Sequence, residues 1–342
     1  MKLGIIGFGK MGKIRNDVIQ KHPDLSLEGV FDTVSPNLQT DLNCKIYKNY
    51  HELLDSNIDA VIVCTPNKFT PQIVIDALNK KKHVFCEKPP GRNVEDIKNI
   101  IAAEKKNKAL KLKFGFNHRY HGAIMEAKAI IESDRLGNIL WLRGIYGKSG
   151  ASDFEKQWRS DRNICGGGIL LDQGIHMLDL FRLFCKDFQE VKSLVTNSHW
   201  NIDVEDNVFA ILRNKNSQMA MLHSSSTQWK HTFSLEIFLE RGYLIIKGIL
   251  SSTRSYGSGE RLIVAIKQLE DESFALGNPR EEIIYFDQDK SWELEIEDFW
   301  DCVKNNKKVL VGSSNDAYKA MELVYKIYNS DKKWSHKQQK CK

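Results

Sequence analysis

Residues 2–21 read KLGIIGFGKMGKIRNDVIQK. The stretch opens on a short apolar run, Lys2–Ile6, long enough for one buried strand, and closes on a helix candidate, Lys13–Lys21. Between them stands Gly7-Phe8-Gly9-Lys10-Met11-Gly12, a GxGxxG turn. The first glycine permits a tight turn, the second lets the backbone approach a pyrophosphate, and the third lets the helix pack closely on the strand. The anion would sit at the helix N-terminus, where free N–H groups and the helix dipole favour negative charge. Twenty residues past Gly12, at the end of a second strand candidate (Leu25–Phe31), comes Asp32. A carboxylate there accepts hydrogen bonds from adenosine ribose hydroxyls and repels a 2′-phosphate. Thr33 follows, with no arginine close behind, so the pattern points to NAD rather than NADP.

Outward from this turn the first third of the chain alternates strands and helices. Ala60–Cys64 is a β-branched strand. Pro71–Asn79 reads as a helix with Thr70 as its N-cap and Pro71 in its first turn. His83–Cys86 is the next strand, Val94–Lys106 a helix capped by Asn93, and Leu112–Phe116 a further strand. Such alternation implies right-handed crossovers and a parallel, doubly wound sheet. After about residue 120 the pattern changes. A helix (Ala123–Ile131), a strand (Ile139–Tyr146) and a glycine-opened helix (about Gly168–Phe184) precede strand candidates Val191–Thr196, Val208–Leu212, Met219–Ser225, Phe233–Leu239 and Tyr243–Lys247. Successive strands with short connections read as a mostly antiparallel sheet. Helix candidates Glu295–Lys304 and Asn315–Tyr328 follow. The expected fold is α/β: a Rossmann domain at 1–118 and an α+β domain at 119–342 for substrate binding and oligomerisation, with C-terminal helices able to pack back on the first domain.

Composition excludes several classes. The 342 residues are 42% hydrophobic and 27% charged, ordinary for a globular chain, and Gly (22) and Pro (7) are scarce. A net charge of +6, spread along the chain, leaves no nucleic-acid footprint. No run approaches the ~20 apolar residues a membrane helix needs. Seven cysteines lie scattered without a CxxC pair, and the N-terminus does not read as a signal peptide, so a reducing cytoplasm is the expected setting. Lysines 332, 333, 337, 340 and 342 read as a frayed, solvated tail.

Two clusters carry chemistry. Glu87-Lys88-Pro89-Pro90 follows a strand directly, at the carboxyl end where open α/β sheets bind ligands. A lysine there can face substrate and, beside a cationic nicotinamide, accept a proton; it can equally be a surface loop lysine. The second cluster lies in Gly166–Asp179, where Asp172, His176 and Asp179 stand at i, i+4 and i+7 on a largely apolar helix. A carboxylate beside an imidazole fixes its tautomer and raises its basicity, and a structural hydrogen-bond cluster is the plainer reading. No third ligand at a recognisable spacing supports a metal.

Together, in this order, GFGKMG, CTPNKFTPQIVIDAL, HVFCEKP, GFNHRY (115–120), QWRSDRNICGGGILLDQGIHMLDLFRLF (157–184) and VEDNVFAIL (204–212) resemble the Gfo/Idh/MocA oxidoreductases, the family of glucose–fructose oxidoreductase and inositol dehydrogenases. The resemblance spans nearly the whole chain. It implies that Lys88 is the catalytic lysine, that Asp172 and His176 are the acid–histidine pair at the substrate, and that Glu87 adjoins the cofactor. It further implies that Thr65, Pro66 and Asn67 contact the cofactor, that Trp158 and Arg159 fold toward the nicotinamide, and that Asn117 and Arg119 form the hinge, with Arg119 and Tyr120 reaching substrate. Where the family pattern carries a histidine shortly after TPN, this chain has Phe69-Thr70. A cis Lys88–Pro89 bond is also implied.

The expected reaction is hydride transfer between nicotinamide and a carbinol carbon of a sugar, cyclitol or nucleotide-linked sugar. His176 takes the hydroxyl proton with Asp172 orienting it while Lys88 hydrogen-bonds the same oxygen, or Lys88 and His176 exchange roles. A redox-neutral epimerase or glycosidase using NAD transiently, and a non-catalytic dinucleotide-binding regulator, are the alternatives; the intact Lys88, Asp172 and His176 set speaks against the last. Trp158, Tyr120 and Trp229 are either pyranose platforms or core, and Arg254, in a loop-like stretch at 247–257, either meets a phosphate or merely connects. Apolar residues on both sides of Val208–Leu212 and Phe233–Leu239 imply a homodimer or homotetramer through the C-terminal sheet.

Overall fold

The computed structural model describes residues 1–33, 42–150, 152–251, 256–267 and 279–339. They form two compact units. The first comprises Met1–Asn117, Asn163–Gly166 and Trp292–Met321, and the second His118–Arg162, Gly167–Ser291 and Glu322–Lys342. The first unit thus takes in, beyond residue 117, Asn163–Gly166 and the C-terminal stretch Trp292–Met321.

In the first unit β1 (Lys2–Ile6), α1 (Lys10–Lys21), β2 (Ser26–Phe31), β3 (Lys45–Ile46), α2 (Tyr50–Leu54), β4 (Ala60–Val63), α3 (Thr70–Asn79), β5 (His83–Glu87), α4 (Val94–Lys106) and β6 (Leu112–Gly115) follow in order. The six strands run parallel in the order β3-β2-β1-β4-β5-β6. The order reverses between β1 and β4, which creates the crevice at the carboxyl ends where such sheets take ligands. Every residue of β4 is buried, as a parallel strand covered on both faces requires. Leu3, Ile5, Val30, Ile62 and Phe85 from the strands pack with Val18 and Ile19 of α1 and with Ile296 and Phe299. Asn93 caps α4 by accepting the Asp96 N–H at 2.9 Å. Thr70 is not the cap of α3. It lies inside the helix, Phe69 holds the cap position, and the Thr70 hydroxyl donates instead to the Thr65 carbonyl.

The second unit holds α5 (Gly122–Glu132), β7 (Ile139–Gly147), α7 (Ile175–Cys185), β8 (Phe188–Thr196), β9 (Asn207–Asn214), β10 (Met219–Ser225), β11 (Thr232–Leu239), β12 (Gly242–Ile249), β13 (Tyr256–Ile266) and β14 (Glu281–Phe286); the short α6 (Arg162–Cys165) precedes α7 in the chain. Its eight strands lie in the order β14-β13-β12-β11-β7-β10-β9-β8. All pairs are antiparallel except β7 with β10. Met177 and Phe181 of α7 pack over Gly144 of β7, where an added Cβ would come within 2.6 Å of Met177. The chain closes with α8 (Ser291–Lys304), α9 (Ser314–Ser330) and α10 (Lys332–Gln339). The C-terminal lysines are therefore no frayed tail as far as residue 339: α10 is anchored by Trp334, only 3% exposed, with the Arg162 guanidinium 5.3 Å from its ring. Of the stretch 247–257, residues 247–249 end β12 and residues 256–257 open β13, with Ile249 pairing with Tyr256. Arg254 lies outside the described residues.

Candidate functional site

The glycine turn closes β1 and enters α1. Gly7 sits at φ +90°, and a Cβ there would strike the Cys64 carbonyl oxygen at 2.6 Å. A Cβ on Gly12 would strike the Gly7 oxygen at 2.3 Å, whereas one on Gly9 would meet nothing within 4 Å. The turn is thus tight at both ends and open at its middle glycine. Gly9 is the N-cap of α1 without a side-chain cap, and the helix's first turn carries no acid. Lys10 and Met11 begin the helix. Asp32, just past β2, accepts the Phe8 N–H at 2.5 Å. A tight glycine turn at a helix N-terminus whose first turn carries no acid, with an acid at the second strand's end, fits a dinucleotide's pyrophosphate and ribose.

Two strands away, Lys88 follows β5 at the same carboxyl edge, half-buried, and the Lys88–Pro89 bond is cis. Glu87 points elsewhere. Its carboxylate takes the Arg15 guanidinium of α1 at 2.6–2.7 Å, and Arg15 also meets Glu295 of α8 at 2.7 Å. Arg15 is fully buried between the rings of Phe85 and Trp292, 4.4 and 4.7 Å from their centroids. Gly115 leaves room for this pair, since a Cβ there would come within 2.9 Å of the Glu87 carboxylate. Burial pushes the Glu295 carboxyl up to about 7, against the pull of Arg15. Burial likewise holds the neighbouring Cys64 and Cys86 thiols well above their usual range, so neither is a ready nucleophile. On the neighbouring loop the Thr65 and Thr70 hydroxyls lie 3.0 Å apart, the Pro66 carbonyl accepts the Phe69 N–H, and the buried Asn67 amide donates to the Cys165 carbonyl at 2.7 Å. Asn117, also buried, ends this unit's first segment.

In the second unit the acid–histidine helix is not one regular α-helix. Leu170–Gly174 is a π-helical turn holding Asp172, and α7 starts at Ile175 with His176 in its first turn. Single π turns recur at functional sites because they re-aim side chains. Asp172 meets the Arg159 Nε at 3.3 Å, and the Arg159 guanidinium lies 4.4 Å from the Trp158 ring centroid. His176 is buried and stacks on His118, centroids 3.8 Å apart and nearly parallel. The His118 Nε2 in turn lies 3.0 Å from the Tyr146 hydroxyl. Asp179 holds Arg119 through both guanidinium edges, at 2.5 and 2.7 Å. This makes a buried bidentate clamp, so two of the nitrogens expected to reach substrate are engaged. Tyr120, half-buried, closes the 3₁₀ turn Asn117–Tyr120 that also carries His118 and Arg119.

Sequence reasoning passed over the residues that hold the π turn and the start of α5. Glu205 accepts the Gly168 and Leu170 N–H groups at 2.8 and 3.0 Å and the Tyr328 hydroxyl at 2.6 Å. His121 and Glu260 pair at 2.7 Å, and Glu260 also accepts the Ala123 N–H at the start of α5. Burial raises the Glu260 carboxyl, but the His121 bond and charge, together with the Ala123 and Leu250 N–H bonds, bring it below its usual value. The VED run at 204–206 was the one available signal for the Glu205 anchor, and Arg15 carried none. Among the described residues no group of three or more candidate ligands could hold a metal ion.

Comparison with known proteins matches two family models: an oxidoreductase family with NAD-binding Rossmann fold over residues 1–116, and the GFO/IDH/MocA C-terminal domain over residues 124–245. Myo-inositol 2-dehydrogenase of Thermotoga maritima is 28% identical over 74% of this chain and 77% of its own length. Glucose-6-phosphate 3-dehydrogenase of Bacillus subtilis is 32% identical over 55% of each chain. Among solved structures, levoglucosan dehydrogenase in complex with NADH and levoglucosan superposes with a TM-score of 0.84 at 21% identity, covering 98% of both chains. At that identity the likeness establishes the fold.

Proposed function

The chain belongs to the GFO/IDH/MocA oxidoreductases and binds NAD through its first unit, and from this premise we propose that it oxidises a secondary hydroxyl of a sugar or cyclitol, reversibly. The observation that carries the reading is Lys88 standing at the carboxyl edge of the parallel sheet, on the edge where the glycine turn opens. Bound NAD supplies the hydride acceptor. His176 takes the proton from the substrate hydroxyl, and Asp172 orients it. Lys88 donates a hydrogen bond to the same oxygen and stabilises the charge it carries as the carbonyl forms; exchanging Lys88 and His176 preserves the chemistry. Arg159, through Asp172, fixes the direction of that carboxylate. The glycine turn and Asp32 bind the dinucleotide, with Thr65, Pro66, Asn67, Asn117 and Trp158 shaping the walls around it, while Glu87 supports that site from behind through Arg15. The partner chain is a second copy of this one, joined through the open face of the second unit's sheet.

The test is a reduction screen with purified protein, supplying NAD and NADP separately against sugars, inositols and nucleotide sugars and following reduced nicotinamide by absorbance. Reduction of NAD by one group of polyols is the expected result. NADP-only activity would overturn the Asp32 argument. Tightly held NAD with substrate conversion but no net reduction would replace the dehydrogenase reading with a redox-neutral one.

A further inference from the structure

Three aromatic side chains that this chemistry does not use gather on loops of the second unit. Trp229, between β10 and β11, is 61% exposed. His199 packs edge-on against it with centroids 4.9 Å apart, and Trp200 lies 6.0 Å from it. An indole left this open forgoes a large burial term. Its backbone also stands at φ +54°, a region that bulky side chains avoid, and such an outlier points toward function.

The cluster is fixed, and it is tied to the acid turn. Buried Asp206 accepts the backbone N–H groups of Ser198, His199 and Trp200 at 2.9, 2.7 and 3.3 Å. The Trp200 indole N–H donates to the Ser226 carbonyl at 3.1 Å. The preceding residue, Glu205, is the one that grips Gly168 and Leu170 where the π turn of Asp172 begins. Two consecutive carboxylates thus fasten the aromatic loop and the acid turn to one point of the chain. A second tie runs through residues 154–159: Arg159 meets Asp172, and Phe154 packs on Trp200 with centroids 4.9 Å apart.

We propose that Trp229 and His199 form a subsite for a second pyranose ring, so that the substrate is a glycoside of at least two sugar units rather than a free monosaccharide or cyclitol. The inference rests on the reading that Asp172 and His176 face the reacting carbon. The axial C–H face of a pyranose is apolar and weakly positive, and it stacks on the electron-rich face of an indole. The neighbouring His199 ring offers a nitrogen to the hydroxyls at the sugar's rim.

The experiment measures NAD reduction by the full chain with matched pairs: glucose against cellobiose, maltose and trehalose, galactose against lactose, and myo-inositol beside them. One disaccharide should exceed its monosaccharide in kcat/KM by about tenfold. Trp229→Ala should erase that advantage by raising KM at unchanged kcat and leave the monosaccharide constants alone; Trp229→Phe should restore most of it. Equal constants for both members of every pair, or a Trp229→Ala effect on kcat alone, would overturn the subsite. If no sugar reduces NAD, the proposed reaction fails, and the subsite is judged separately by titrating disaccharides against tryptophan fluorescence. Quenching lost in Trp229→Ala upholds it, and no quenching removes it. Trp229→Ala that dissociates an oligomer in light scattering would assign the patch to subunit contact and also overturn it.

Discussion

A single charge decides much in a buried place. Arg15 is shared by Glu87 and Glu295, and a proton on Glu295 leaves one neutral pair, Arg15 with Glu87, in the core of the first unit. The Glu295 carboxyl moves from its usual 4.5 to about 7, chiefly through burial. The folded state therefore holds this proton more tightly than the unfolded state does. Its contribution is complete below about pH 4.5 and is lost as the pH rises through 7. Replacing Glu295 by Gln removes that loss, so the stability difference between Glu295→Gln and the parent should move in favour of glutamine by on the order of a few kcal/mol between pH 5 and pH 8. Chemical denaturation at the two pH values measures it, and a difference that stays flat would contradict a buried, titrating Glu295. Lys88 tests the chemistry at the same scale. Lys88→Met should lower kcat by about 10²–10⁴-fold while NADH fluorescence titration returns a nearly unchanged affinity. Full turnover in that variant would remove Lys88 from the reaction.

Elements show where local sequence was enough. Lys2–Ile6 and Met219–Ser225 coincide with β1 and β10, because short apolar or alternating runs between glycines and polar turns have one good partner geometry. Asn93 was legible as a cap because its bond to Asp96 closes within three residues. The failures share a cause, which is that the deciding partner is remote or the local composition misleads. Arg15 has no local signal because its partners, Glu87 and Glu295, lie 72 and 280 residues away. Glu281–Phe286 is too polar and exposed to announce a strand, yet β13 pairs with it along six residues. Lysines disguised α10, whose anchor is one tryptophan. The candidate site divides the same way: glycine turn, Lys88 and the Asp172–His176 run were visible, whereas the π turn and its Glu205 anchor were not. That anchor can be tested through Gly168, where a Cβ would lie 2.1 Å from the Glu205 carbonyl oxygen. Since backbone must move to admit it, Gly168→Ala should destabilise the second unit by about 1–3 kcal/mol and depress kcat together. A variant with parental stability and kcat would show that the close approach of Gly168 and Glu205 is dispensable.

At the scale of the molecule, one face of the second unit's sheet carries exposed apolar side chains among the described residues. Side chains alternate along β9 and along the first four residues of β10, with Val208, Ala210, Leu212, Ala220 and Leu222 buried and Phe209, Ile211, Met219 and Met221 exposed. Register places Leu194 opposite Phe209 and Ile211 opposite Met221. Trp141 and Phe238 stack flat beside them at 4.0 Å. Monomeric proteins rarely expose so continuous an apolar surface, and an antiparallel face offered by identical chains can pair with itself about a two-fold axis. A partner of a different kind would need a complementary chemistry that this stripe of Leu, Phe, Ile and Met does not specify. The face also carries Arg143 paired with Glu236 at 2.5 Å and approached by Lys247, charges already balanced within the chain and so compatible with burial against a copy. Phe209→Glu together with Ile211→Lys should therefore shift the protein from a dimer or tetramer toward monomer in size-exclusion chromatography with light scattering, without unfolding it, since both side chains point away from the core. A parent protein that elutes as a monomer at micromolar concentration would refute self-pairing, and the exposed stripe would then require another occupant.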